Sequence, residues 1–375
     1  MGNLANTIPF TELWERLLTM GRIDSPNNED YAKGMINDVY VRTLPRIADW
    51  DPIIVESFLS MTTRYNTGTA TITAGSTSLT GVGTTWTSAM TVADGYKIKF
   101  AGNDNVYTFE YVGATSATVS PQLSGASDLT SVNYTVFRDE YQLASDFDRL
   151  LKNGSVYYYS GGRVNQIIEQ VPRDEFREDF TPETTDPLRR VMLIGTHNTT
   201  GNRLIRVNPP PKTAKVYPYE YVKKITPMSD YSTGSVAVTN ASTTITGTDT
   251  VWLASMVGQY FRVDSNGIGN SSKWYKIDAY VSATELTLAT AFEEATETLL
   301  DYHVSSSPVS FPSEFHEFIL YEALGLVAGE QTDPTIENAQ LQKGAILQDL
   351  KKNYKSRRTN VQYTAEDDGI RSRQV

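Results

Sequence analysis

The chain has 375 residues and a formal net charge of −11. It is longer than a usual single domain of about 100–200 residues, so roughly two to four compact units are expected. Its acidity argues against a protein that grips nucleic acid by neutralising phosphates, or one that binds anionic membranes. The absence of cysteine excludes a disulfide framework and a thiolate metal site.

No apolar run reaches the about 18 residues of a transmembrane helix. The start, MGNLANTIPFTELWERLL, lacks the basic and apolar regions of a secretory signal. A soluble protein made in the cytoplasm is therefore expected.

In chain order, Phe10, Leu13, Trp14, Leu17 and Leu18 fall on one helical face, and Gly21 supplies a stop. A second helix is predicted from Asn28 to Leu44, with Met35, Ile36, Val39 and Tyr40 inward and Pro45 ending it. Asp51-Pro52 reads as an N-cap and first-turn proline, opening a third helix with Ile53, Ile54, Phe58 and Leu59. At Tyr65 the apolar period changes from helical to alternating.

There a repeat begins. NTGTATITAGSTSLTGVGTTWTSAM, from residue 66, returns as STGSVAVTNASTTITGTDTVWLASM from residue 232. With Trp86 set on Trp252, the pairs Gly68/Gly234, Thr73/Thr239, Ser76/Ser242, Thr77/Thr243, Gly81/Gly247 and Met90/Met256 coincide at one offset. The first copy carries strand patterns at 69–73, 77–80, 96–100, 106–112, 116–119 and 132–137, and the second matches them strand for strand. Roughly six short strands in about seventy residues describe a small antiparallel barrel or sandwich.

The exits look alike too. LASDF at 143–147 corresponds to FPSEF at 311–315, each with a serine suited to cap a helix and an acid behind it.

Between the copies, Ser155 to Arg163 holds the run Val-Tyr-Tyr-Tyr-Ser-Gly-Gly, 164–169 reads as helical, and PRDEFREDF follows as a charged segment. Alternation at 190–196, 203–208 and 216–223 predicts a three-stranded meander, with Pro209, Pro210 and Pro211 in a loop. After the second copy, a helix is predicted over 314–327 with Phe315, Phe318, Ile319, Ala323 and Leu326 inward. Another runs from Asp333-Pro334 to about Lys355 with Ala339, Leu341, Ala345, Leu347 and Leu350 inward. The last twenty residues have no period and read as an extended tail.

The expected fold is thus α+β and multidomain. A helical bundle core carries two inserted, mutually similar antiparallel β-barrel or sandwich modules and a small β-meander. The parts are 1–64 (helical), 65–138 (first module), 139–230 (central helix and meander), 231–307 (second module), 308–355 (helical hairpin) and 356–375 (tail).

No motif here carries chemistry. His197, His303 and His316 lack the spacing of a metal site, and Gly-rich pieces such as GVG and NGIGN read as turns. Asp174, Glu175, Glu178 and Asp179 could supply a glycosidase-like pair, but they alternate with Arg173 and Arg177 around Phe176 and Phe180. A salt-bridged helix face is the better reading. No enzyme, cofactor or metal is expected.

The order of YQLASDFDRLL, PRDEF, a strand-turn-strand ending at Pro210, YEY at 219–221 and PSEFHEFILYEALGLVAG resembles the head-to-tail adaptor (connector) proteins of tailed bacteriophages. The Gly/Thr-rich module is similar to inserts in phage virion proteins; two such modules make this chain larger than compact helical adaptors. The resemblance implies a structural virion protein at the neck between capsid and tail. It implies a self-assembled ring of about twelve copies under the portal, with heterologous, closed contacts. Tail or nozzle proteins would attach to it, and genomic DNA would pass through the channel without specific binding; no membrane is involved. In similar adaptors the C-terminal segment docks on the portal, which points here to Tyr363, Ile370, Arg371 and Arg373. The alternative is a tail fibre or receptor-binding protein with carbohydrate-binding modules, although long shaft repeats are missing.

Overall fold

The computed structural model describes residues 7–22, 28–125, 127–151, 156–160, 163–178, 188–264, 273–328 and 334–355. Among the described residues the chain divides into two compact units, one made of residues up to Ile53 together with 224–355, the other of Ile54–Lys223. The architecture is mixed α+β. It has several β-sheets, one nearly closed into a barrel and one a half-barrel, and a handful of short helices. The expected helical-bundle core is not formed.

The chain starts as predicted. Helix α1 (Phe10–Gly21) buries Phe10, Leu13, Trp14, Leu17 and Leu18, and Arg22 ends it in the left-handed conformation, with its N–H reaching back to Leu18 and Thr19. Helix α2 (Glu29–Asp38) buries Ala32 and Ile36. Pro45 does not stop the helix. Having no N–H to donate, it lets the ladder slip into a π-helical turn at Val39–Thr43, where the Leu44 N–H bonds the Val39 carbonyl, before α3 (Leu44–Ile47).

The predicted third helix is a strand. Only Asp51–Ile53 makes a 3₁₀ turn, and β1 (Ile54–Met61) pairs antiparallel with residues 215–222 over its whole length. Leu59 and Met61 alternate inward from it. A ladder to a partner far along the chain outweighs the local helix-start signal, and the β-branched Ile54 and Val55 suit a pleated surface.

The first module holds β2 (Thr69–Ile72), β3 (Ser78–Val82), β4 (Tyr96–Phe100), β5 (Val106–Gly113), β6 (Ser116–Ser120), β7 (Leu129–Val132) and β8 (Tyr134–Arg138). Their order in the sheet is β7-β2-β3-β6-β5-β4-β8. The two edge strands are consecutive in sequence, separated by Asn133, so the sheet curls around its core.

The rest of this unit is one larger sheet. It contains β9 (Glu140–Gln142), β10 (Phe147–Leu150), β11 (Val156–Ser160), β12 (Arg163–Gln170), helix α4 (Arg173–Glu178), β13 (Arg190–Thr196), β14 (Arg203–Asn208) and β15 (Lys215–Lys223). The order is β1-β15-β11-β12-β13-β14-β9, with β10 on β15.

Three expectations fail here. Residues 143–150 form a turn and a strand rather than a capped exit helix, and Asp146 accepts from the Tyr221 hydroxyl (2.6 Å). Residues 164–169 lie in β12. The meander is broken as well: β13 and β14 are a hairpin, but β14 lies beside β9 while β15 sits between β1 and β11. In each case a long-range pairing partner decides what local periodicity leaves ambiguous. The tyrosines find their place in this sheet. Tyr217, Tyr219 and Tyr221 alternate inward from β15, with the Tyr219 hydroxyl accepting from the Ala144 N–H (2.9 Å).

The second module contains β16 (Asp230–Tyr231), β17 (Ser235–Val238), β18 (Thr244–Thr248), β19 (Tyr260–Val263), β20 (Tyr275–Ser282), β21 (Glu285–Leu288), β22 (Glu297–Leu300) and β23 (Tyr302–Ser305). Reading β22-β17-β18-β21-β20-β19-β23-β16, it repeats the first module's order strand for strand and adds β16. The unit closes with α5 (His316–Ala328) and α6 (Pro334–Tyr354), packed against each other. Phe315, Phe318, Ile319 and Ala323 point inward as predicted, as do Ala339 and Leu350. Leu326, Leu341 and Ala345 instead face outward.

Candidate functional site

Each module is organised around the same buried set of bonds. The Trp86 indole N–H donates to the Tyr134 hydroxyl (3.0 Å), which donates to the Thr67 carbonyl (2.6 Å). In the second copy Trp252 donates to Tyr302 (3.0 Å), which donates to the Thr233 carbonyl (2.7 Å). Thr84 and Thr250 each donate to a carbonyl in the turn of the neighbouring hairpin, at Ala114 and Ala283, both at 2.8 Å.

Two repeated glycines fit this frame. Gly68 and Gly234 have φ of +82° and +84°, and a Cβ on either would lie 2.4 Å from the carbonyl oxygen of Val82 or Thr248. Burial raises both phenols above their ordinary range, so they remain neutral donors. Entry and exit are side by side. Tyr65 and Val136 exchange two backbone bonds of 2.8 Å, and Tyr231 pairs with Val304.

At its root, each module is fixed by an ionic node. In the first, Asp139 lies fully buried between β8 and β9. It receives Lys97 of β4 (2.7 Å) and Arg206 of β14 (2.7 Å), and Lys97 also reaches Glu140 (2.6 Å). Gly95 packs against Glu140 so closely that a Cβ would lie 2.7 Å from its Cβ. Nearby, His197 at the end of the β13 hairpin bonds the Ala93 carbonyl (3.1 Å).

In the second module the central group is a cation. Arg262 of β19 is held by both carboxylate oxygens of Glu15 on α1 (3.0 and 2.5 Å), with Asp264 at 3.5 Å. Its guanidinium lies over the Trp274 ring at 4.6 Å. Burial opposes its charge, but Glu15 and Asp264 outweigh that and raise its pKa. Burial also opposes ionisation of Asp264, yet His303 (3.2 Å) and Arg262 bring its pKa below the usual carboxylate value. Helix α1 is further tied to this root by Trp14 donating to Asp230 (3.1 Å) and the Thr11 N–H to Ser305 Oγ (2.9 Å). A cleft of about 390 Å³ opens beside Arg262, between Glu12, Glu15, Arg16, Thr19, Met20 and Trp274. Its charged groups are paired with one another, Glu12 with Arg16 and Glu15 with Arg262.

His316 begins α5, buried, accepting from the Ile8 N–H through Nδ1 (3.0 Å), and burial lowers its pKa to about 4. Glu175 and Glu169 flank Arg190 at 3.5 and 3.7 Å, and Phe176 is buried under α4. Asp179 and Phe180, like NGIGN, lie outside the described residues. Among the described residues, no group of three or more His, Asp or Glu could hold a metal ion, and no helix is long and apolar enough to cross a membrane.

Tyr363, Ile370, Arg371 and Arg373, expected to dock on a portal, lie outside the described residues. The sequence reading missed Asp139 and Arg262; Arg262 stands as a charge between Phe261 and Val263 of a strand, whereas Asp139 is one of three successive charged residues and carries no such signal. The chain matches no protein-family model, and comparison with curated proteins finds no match.

Proposed function

We propose that this chain is a structural virion protein, the head-to-tail adaptor of a tailed bacteriophage. It forms a ring at the neck, under the portal, extends the DNA channel and offers the tail or nozzle proteins their platform. One observation carries the reading: each of two like β-modules is entered and left through one paired bridge and fixed at its root by ion pairs to a buried central group. Such modules suit rigid arms on an assembly scaffold. Asp139 and Arg262, the buried charges at the two roots, fix them in place.

The chain's acidity suits a channel through which DNA slides without being held. In this reading the segment 356–375 reaches the portal through Tyr363, Ile370, Arg371 and Arg373. Antibody labelling of intact particles, viewed by electron microscopy, tests the proposal. Label at the neck supports it, label at fibre tips replaces it with receptor binding through carbohydrate-binding modules, and unlabelled particles overturn it.

A further inference from the structure

Two helices of the first-described unit turn apolar side chains to solvent. Tyr31 on α2 is 47 % exposed and Leu341 on α6 is 75 % exposed. Three residues after each comes an exposed glycine, Gly34 and Gly344, on the same helical face. A glycine inside a helix is unfavourable relative to alanine, and a Cβ at either position would meet nothing within 4 Å. Packing within the described chain gives no reason for either glycine.

We propose that copies of this chain associate head to tail, α2 of one copy lying antiparallel against α6 of the next. In that orientation a projection followed three residues later by a gap is its own complement. Tyr31 falls over Gly344 while Leu341 falls over Gly34, and the glycines let the two backbones approach. Charge agrees with the direction at one end. The acidic start of α2 (Glu29, Asp30) points toward the basic end of α6 (Lys351, Lys352). At the other end Asp38 falls level with Glu337, and Arg42, bonded to Asp38 (3.1 Å) just beyond α2, stands about a helical turn from Glu337, where it offsets the repulsion of the two carboxylates.

Both helices pack on α5 and present different faces, which is what a heterologous contact needs. Pairing either helix with its own copy would account for one glycine and leave the other without a role. The inference deepens the ring proposed above; it rests on self-assembly and not on the place of that ring in a virion.

The natural chain has no cysteine, so engineered disulfides report the contact without background. In the full-length protein, two double variants, Gly34→Cys with Leu341→Cys and Tyr31→Cys with Gly344→Cys, are oxidised mildly and run on non-reducing gels. A disulfide demands Cα atoms roughly 4.4–6.8 Å apart. Expected is a ladder of covalent multimers from each double variant and none from the four single variants. Dimers from single variants would overturn the pairing in favour of a helix meeting its own copy.

Absence of product, with native mass measurement still giving a closed oligomer, would reject this interface and leave the ring standing. A monomer under all conditions would reject both. As a control on folding, Gly344→Leu should keep or raise the melting temperature and cut the oligomeric fraction at least tenfold; unchanged assembly would count against the contact.

Discussion

The two β-modules share a strand order and an internal bond set, yet they are anchored by opposite chemistry. The first is held around a buried carboxylate, Asp139, that draws in Lys97 and Arg206. The second is held around a buried guanidinium, Arg262, that draws in Glu15 and Asp264. What the copies retain is what closes the barrel, namely the tryptophan, tyrosine, threonine and glycine positions. What they change is what meets the surroundings. The loop after the repeated threonine shows the same division. Thr85, Thr87 and Thr91 in the first module stand where Val251, Leu253 and Val257, all exposed, stand in the second. A scaffold tolerates such changes because outward positions contribute little to its stability.

The largest effects should come from the shared interior. Trp86→Ala and Trp252→Ala each remove a buried ring and leave a tyrosine hydroxyl without its donor, and each should cost about 3–5 kcal/mol. Urea unfolding measures both; similar losses uphold the equivalence, and a loss below about 1 kcal/mol in either would break it.

The anchors should differ. Asp139→Ala strands two cations around a fully buried position and should cost about 3–5 kcal/mol. Arg262→Met keeps the volume against Trp274 and leaves Glu15, about a third exposed, free to rehydrate. Its cost should be nearer 1–2 kcal/mol by the same reasoning. The same unfolding curves decide, and a reversed order would show that burial of the central group is not what sets the cost.

Acid should act first on the unit that carries the second module. The pKa of His316 falls from 6.5 to about 4 on folding, so the unfolded chain binds more protons between those values. The stability it contributes is complete above about pH 6.5 and is lost as pH falls toward 4, a change of about 3 kcal/mol. The depressed pKa of Asp264 acts in the same direction at lower pH. Melting temperature against pH for the natural chain and His316→Gln tests this; the variant should be flatter between pH 6.5 and 4.

The smallest effect belongs to the loop. Changing Val251, Leu253 and Val257 to threonine should leave stability within about 0.5 kcal/mol while lowering binding of an apolar dye, since exposed side chains have little packing to lose.

Much of the fold was legible in sequence order. The repeat placed like strands at like distances from Trp86 and Trp252, because the residues that fix a barrel interior are the ones a module cannot exchange. Helix α1 was legible because Phe10, Leu13, Trp14, Leu17 and Leu18 leave no other face to bury. The errors fall where one segment suits two structures. Residues 51–62 carry a sound helix start but become β1, and Ser145-Asp146 look like a cap but make a turn that leads to β10. The anchors were hidden for a related reason: Asp139 and Arg262 gain their roles from Arg206 and Glu15, which are distant in the chain.

By itself, then, the sequence determined the module, its duplication and the start of the helical unit, since these depend on local alternation and on residues that recur. Only the tertiary structure decided which strand lies beside which, that residues 54–61 extend, and which charges are buried. Those outcomes depend on partners far along the chain, whose pairing energy exceeds the small preferences that local sequence can express.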